Sequence, residues 1–336
     1  MPFFFAGSPT PFLYNPPVDT FLQQVINGLT LGCVYAVVAL GYTMVYGIIQ
    51  LINFAHGEVV MIGCMVAFSV IVGIGILAAV PVCMAVGYTV ERVAYRPLRN
   101  APRLAPLITA IGVSIILQHL ALLVWSRNLI AFPQIVKLEL YHFGSDPNAA
   151  AISNIQIAII ITSVAMMAGL IALVYKTKMG IAMRAVSQNP QVAGLMGVDI
   201  NKVISFTFVI GAGLGAVAGV MVGSYYGIAH YQMGFLLGLK AFSAAVLGGI
   251  GNIAGAVLGG ILMGLIEALG AGYVGDWTNV CVLNDYLPGF ADVCAASPEA
   301  SLFGSNYKDV YAFIVLILVL VFRPQGLLGE RVGDRA

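Results

Sequence analysis

Apolar stretches of about twenty residues recur along almost the whole chain, at residues 21–48, 59–77, 78–95, 104–125, 155–175 and 203–222, and nothing else restricts the fold as severely. A hydrocarbon core roughly 30 Å thick takes about 20 apolar residues of helix to cross. Lipid offers no hydrogen bonds to an open backbone, so runs of this length are read as helices. A less regular apolar stretch, 236–272, is interrupted by GGIGN at residues 248–252 and predicts a broken helix or a re-entrant pair. A last helix is expected over 307–322. The fold class that follows is all-α: a polytopic transmembrane helical bundle of about eight spanning elements, including the broken or re-entrant pair. With 60% hydrophobic and 9% charged residues, the chain holds more apolar surface than one water-soluble core could bury.

The basic residues sort the ends of these helices. Arg92, Arg96, Arg99 and Arg103 form one group, Lys176, Lys178, Arg184 and Lys202 a second, and Arg323, Arg331 and Arg335 a third. Lys and Arg are retained on the cytoplasmic side of a membrane. With all three groups there, residues 126–154 and 273–306 become external loops, the C-terminus lies inside and the N-terminus outside. The expected organisation is a tail at 1–20, one transmembrane domain at 21–323 containing a cytoplasmic loop at 176–202, and a cytoplasmic tail at 324–336. The first 17 residues carry Pro2, Pro9, Pro11, Pro16 and Pro17 and no basic residue, unlike a cleavable signal peptide. Residues 59–95 are tight for two spans and a turn. Gly73, Gly75 and Pro81 are turn candidates there, and a single bent element is the alternative.

Glycines recur at helical spacing. Gly211, Gly215, Gly219 and Gly223 fall on nearly one face, which lets a neighbouring helix approach closely. Gly255, Gly259, Gly260 and Gly264 repeat the pattern. The GAGLG within the first set has no strand before it and is not read as a dinucleotide loop. No G-x-x-x-x-G-K-[ST] occurs, so the chain carries no P-loop of its own, and any energy it uses must come from a gradient or a partner. With no metal-spaced Cys/His cluster, no paired carboxylates and no G-x-S-x-G, neither an enzyme nor a cofactor or metal is expected. A net charge of +1 gives no sign of nucleic-acid binding.

Polar groups interrupt the apolar pattern at LINFAHGE, residues 51–58. Asn53, His56 and Glu58 are candidates for a translocation path, because ionisable groups at membrane depth are costly. The alternative is that Asn53 caps the following helix and Glu58 sits at its positive end. For Gln118, His119, Lys240 and Glu267, an interhelical hydrogen bond or an interfacial position is the expectation.

LINFAHGE (51–58), ERVAYRPLR (91–99), FVIGAGLGAVAGV (208–220) and LKAFSAAVLGGIGNIAGAVLGG (239–260), taken in order, resemble LivH-type permeases of branched-chain amino-acid ABC importers. The likeness runs from about residue 21 to about 328, with 66–86 shorter and 276–305 longer than in typical members. The resemblance implies a subunit of the bacterial inner membrane that carries Leu, Ile, Val or a related small solute, since importers of this family also carry other amino acids, urea or small organic acids and no residue here fixes the choice. It would pair with a second, LivM-like permease, two cytoplasmic ATPases and a periplasmic solute-binding protein, and the loop 273–306 would be periplasmic. A self-sufficient channel or gradient-driven carrier is the alternative. Cys281 and Cys294, in that oxidising compartment, are candidates for a disulfide. Residues 185–198, AVSQNPQVAGLMGV, are expected to hold the coupling helix that meets an ATPase. Asn189 would be its N-cap, Pro190 its first residue and Gly197 its left-handed end, with Val192, Leu195 and Met196 as the apolar face.

Overall fold

A computed structural model describes residues 17–70, 75–99, 101–102, 104–125, 127–133, 137–144, 149–274 and 307–329. The disulfide candidates Cys281 and Cys294 lie outside them. The helices are α1 (Pro17–Ile49), α2 (His56–Ser69), α3 (Gly75–Val90), α4 (Leu104–Val124), α5 (Asn154–Lys176), α6 (Lys178–Gln188), α7 (Pro190–Leu195), α8 (Ile200–Tyr226), α9 (Met233–Gly248), α10 (Ile253–Leu269) and α11 (Lys308–Phe322). A π-helical turn over Glu91–Tyr95 and a 3-10 turn over Arg96–Leu98 lengthen α3, and a π-helical turn over Gly270–Val274 lengthens α10. Four short strands, β1 (Ile130–Ala131), β2 (Leu140–His142), β3 (Ala151–Ser153) and β4 (Ile228–Ala229), pair antiparallel as β1 with β4 and β2 with β3. They are the one departure from an all-helical chain among the described residues.

Six described helices are long and apolar enough to cross a membrane: Thr20–Ile49, Gly75–Leu98, Leu104–Val124, Asn154–Lys176, Ile200–Tyr226 and Ile253–Val274. α2 and α9, at 14 and 16 residues, fall short of a crossing. The expected helices over 59–77 and 78–95 are therefore redrawn. α2 begins earlier, at His56, and ends at Ser69. Pro81 lies inside α3 on an exposed side and makes no turn.

The bundle has two distinct ends. At one, α3, α5 and α11 finish and α4 and α8 begin, with Arg92, Arg96, Arg99, Lys176, Lys178, Arg184, Lys202 and Arg323 around them. The turn between α9 and α10 is at this end too, because the backbone N–H groups of Leu327 and Leu328 donate to the carbonyls of Leu247 and Gly248. That turn is built by Gly249 and Gly251, both at positive φ, and by Asn252, whose side chain accepts from Ala254 and Gly255 N–H and so caps α10. GGIGN is thus a turn between two helices. At the opposite end lie the β ladders, the start of α5 and the end of α8. A capping box starts α5: Ser153 Oγ accepts from Gln156 N–H, and Gln156 Oε1 from Ser153 N–H.

α1 and α8 form the buried axis, while α4 and α5 turn most of their surface outward. The glycine face of α8 lies against α2. A Cβ on Gly219 would run into the Val60 carbonyl, and one on Gly223 would stand 2.7 Å from Cys64 Sγ. Gly215 faces His56 and Gly211 faces Gly41 of α1. α8 is about 40 Å long, and Gly215 is past its middle, so α2 begins at mid-depth and runs outward beside α8's second half. α9 also begins at depth: Gly234 and Gly238 lie against Gly57 of α2, and α9 then descends to the basic end. Two half-helices of opposite direction therefore overlap at their first turns inside the bundle.

Candidate functional site

The overlap of α2 and α9 is reached from α1 by a short return. α1 stops at Ile49, Gln50 adopts φ +54°, and residues 50–55 climb back to mid-depth. Ala55 holds the N-cap position of α2 and makes no side-chain hydrogen bond to it. The capping alternative for Asn53 is thereby overturned: its Oδ1 accepts from Tyr95 OH at 3.0 Å, tying the return segment to the end of α3. Asn53, His56 and Glu58 are all buried. His56 meets Tyr42 edge to face at 4.9 Å between ring centres, and its Nε2 has no hydrogen-bond partner.

Glu58 is in the first turn of α2 and is fully buried. Its Oε1 accepts from Ser114 Oγ at 3.0 Å and from Gln118 Nε2 at 2.7 Å, both on α4. Its Oε2 has no partner, and a Cβ placed on Gly234, in the first turn of α9, would stand 2.7 Å from it. α9 carries no side-chain cap at Gln232. A free carboxylate oxygen and two half-helix N-termini therefore occupy one buried place. Among residues 51–58, proximity of polar groups was legible in the sequence. The partners were not: Ser114 is an ordinary residue in an apolar run, and its only signal is the i, i+4 spacing to Gln118.

A second buried cluster joins α1, α9, α10 and α11. Lys240 Nζ lies 2.9 Å from Glu267 Oε1 and 2.5 Å from Asp309 Oδ1, and Tyr35 OH donates to Glu267 Oε2 at 2.8 Å. Lys308 Nζ is 3.8 Å from Glu267 and stands over the Tyr226 ring. Lys240 and Glu267 thus pair with each other, as interhelical groups. His119 is exposed and accepts or donates locally to the Ile115 carbonyl.

At the basic end, Glu91 is fully buried and forms an ion pair with Arg99, while Ser205 Oγ donates to its Oε2 at 2.6 Å. Arg99 also donates to Asn201 Oδ1 at 2.7 Å. Burial draws the Arg99 guanidinium below its ordinary value, against the pull of Glu91. These bonds fasten the π-helical end of α3 to the first turns of α8.

α7 comes directly before α8. Asn189 Oδ1 accepts from Gln191 and Val192 N–H at 3.1 Å, Pro190 is the first helical residue, and Gly197 has φ +87°. Residues 185–188 belong to α6, so the helix within 185–198 is six residues long. Ala193 faces inward. Val192 is 52%, Leu195 87% and Met196 81% exposed, which leaves an apolar face uncovered at the most charged end of the chain.

At the opposite end, a cavity of about 350 Å³ opens between α1, the β2–β3 ladder and the end of α8, lined by Gln23, Leu140, Ser153, Gln156 and Tyr225 among others.

The family of branched-chain amino acid transport system permease components matches residues 24–320. The high-affinity branched-chain amino acid transport system permease protein BraD of Pseudomonas aeruginosa is 43% identical over 329 residues, 94% of this chain and 98% of its own. The LivH permease protein of the corresponding Escherichia coli system is 42% identical over 325 residues, 92% of this chain and 96% of its own. A probable LivH of Methanocaldococcus jannaschii is 28% identical over 303 residues, 87% of each chain. No solved structure matches.

Proposed function

Because the chain belongs to the permease-component family of branched-chain amino acid transport systems, we propose that it is the membrane subunit of an ATP-driven importer of Leu, Ile and Val or a related small amino acid. The observation that carries this reading is the 43% identity sustained over 94% of the chain, from the first crossing helix to the last. The chain is a transport subunit of the inner membrane and not an enzyme. ATP would be hydrolysed by two separate cytoplasmic ATPases, since no P-loop is present in the sequence. A second, LivM-like permease would complete the pathway, and a periplasmic solute-binding protein would deliver the solute. The gathering of basic residues at one end supports a cytoplasmic location for that end, with the 350 Å³ cavity facing the periplasm.

α7 is the proposed ATPase contact. Its exposed Val192, Leu195 and Met196 need a partner, and only the short turn at residues 196–199 separates it from α8. A displacement of α7 moves α8, and through Glu91, Arg99 and Asn201 it also moves α3. Asn53 of the return segment is bonded to Tyr95 at the end of α3, and His56, the first residue of α2, faces Gly215 of α8, which supports a place for this stretch beside the translocation path. Alternating access then requires helices that can shift past each other, and two half-helices packed backbone to backbone through glycine suit that.

The test is reconstitution of the chain in proteoliposomes with its operon-encoded permease, ATPases and binding protein. Uptake of L-leucine should require all of them and ATP. Uptake by this chain alone, without ATPases, would overturn the proposal in favour of a self-sufficient carrier.

A further inference from the structure

We infer that the overlap of α2 and α9 is where this subunit holds the charged end of its solute, with Glu58 Oε2 receiving an ammonium group. The inference rests on the importer reading above and adds the chemistry of the contact.

Three observations meet at this place. Glu58 is fully buried, yet only one of its two oxygens is used: Ser114 and Gln118 both donate to Oε1 and fix the carboxylate's orientation. Oε2 is buried, without a partner, and aimed at the first turn of α9 by Gly234. A carboxylate oxygen left bare in a membrane interior is costly, so a donor that arrives there is strongly held. Second, α9 begins at mid-depth with no side-chain cap, and its N-terminal turn is a positive pole suited to a carboxylate. The two features lie side by side and present opposite signs, as an α-amino acid does. Third, the two backbones meet through Gly57, Gly234 and Gly238, with Glu58 and Met61 of α2 beside Gly234, so no side chain of α9 stands between them at Gly234 and Gly238. The site is closed in this structure, and binding would accompany the parting of α2 from α9. Met61, whose Cβ lies by Gly234, and Tyr42, whose OH lies by Gly238, would border an apolar side chain.

The experiment compares Glu58→Gln and Glu58→Asp in the full reconstituted importer, reading L-leucine uptake and binding-protein-stimulated ATP hydrolysis together. Glutamine keeps the shape and removes the charge. Aspartate keeps the charge and shortens the side chain by one methylene. If Glu58 receives an ammonium group, Glu58→Gln should lose about tenfold to a hundredfold in uptake, the worth of one charged hydrogen bond, with hydrolysis still stimulated. Glu58→Asp should retain more uptake than Glu58→Gln, at a raised KM. If Glu58 only fills and ties the core, the order reverses, and that result overturns the inference. Should Glu58→Gln fail to assemble, an assembled Glu58→Asp with uptake below about one-tenth of wild type also overturns it. Wild-type protein that fails to import leucine would refute the importer reading instead, so the two failures are distinguishable.

Discussion

Replacing Lys240 with methionine probes the buried ion cluster most directly. Lys240 and Glu267 have side chains 10% and 1% exposed and stand 2.9 Å apart. At an effective dielectric near 20, a unit pair at that separation attracts by about 6 kcal/mol. Removing both groups from water costs several kcal/mol for each, so the net worth of the pair is small, while stranding one member is expensive. Lys240→Met keeps the apolar stem and leaves Glu267 with Tyr35 OH and with Lys308, whose Nζ is 3.8 Å away. Lys308 can move closer, which places the expected loss at about 3 kcal/mol, the lower end of the range for a broken buried pair. The double variant Lys240→Met, Glu267→Met leaves Lys308 and Asp309 to balance each other and should recover most of that loss, a coupling of about 2 kcal/mol. Denaturant unfolding of the purified chain in detergent, followed by tryptophan fluorescence, measures each variant. A single-variant loss below about 1 kcal/mol, as for solvent-exposed pairs, would refute the reasoning, as would simple additivity of the two substitutions.

Leu195→Asp with Val192→Asp should abolish co-purification of the ATPases and ATP-dependent uptake without lowering thermal stability, because both side chains are exposed in the isolated subunit; pull-down and thermal melts check this. Gly219→Ala should destabilise the fold by about 1–3 kcal/mol, since the new methyl meets the Val60 carbonyl, whereas Gly169→Ala, with nothing within 4 Å, should be neutral or gain up to about 1 kcal/mol from helix propensity. The same unfolding assay compares the two. Asp199 accepts from Lys202 N–H at the start of α8, and that bond holds its carboxyl below the ordinary value. Its support of the helix is therefore complete above the unfolded value of about 4 and is lost as pH falls through the lower folded value. Hydrogen exchange at residues 200–203, corrected for intrinsic rates, should accelerate as pH falls below the unfolded value of about 4 in the wild type, and Asp199→Asn should remove the dependence.

Length and apolarity made the six crossing helices legible, and local rules made the ends of α7 legible: Asn189 with Pro190, and Gly197, do in the structure what their chemistry dictates. The glycine spacing of α8 announced a close approach but could not name α2 as the neighbour, because period says which face is smooth and nothing of what lies on it. Charges were read least well. Lys240 and Glu267 were separate interhelical candidates, yet they are one pair, and Asp309, from the far side of residues 275–306, completes it. Arg99 counted toward a basic cluster while its own partner, Glu91, is eight residues away and out of the pattern. Pairings between distant segments leave no periodic trace.

Depth is the other quantity that hydropathy does not carry. α2 and α9 are as apolar as their neighbours, and a composition window sees two more crossings where the structure has two half-helices. What limits them is packing. Glycine at 57, 234 and 238 lets two backbones touch at the first turns, and the half-helices can begin at depth without exposing peptide groups to lipid, because α2 is covered by α8 and α3 and α9 by α1 and α10. α8 contacts this crossing through Gly215 and the basic end through Asn201, fourteen residues and about 21 Å apart on one continuous helix. A helix of that length with buried flanks moves as a unit. On the proposed reading, whatever displaces its first turn would act on the surroundings of His56, because Gly211 and Gly215 set the α8 backbone directly against Gly41 and His56 with no side chain of their own to absorb the shift.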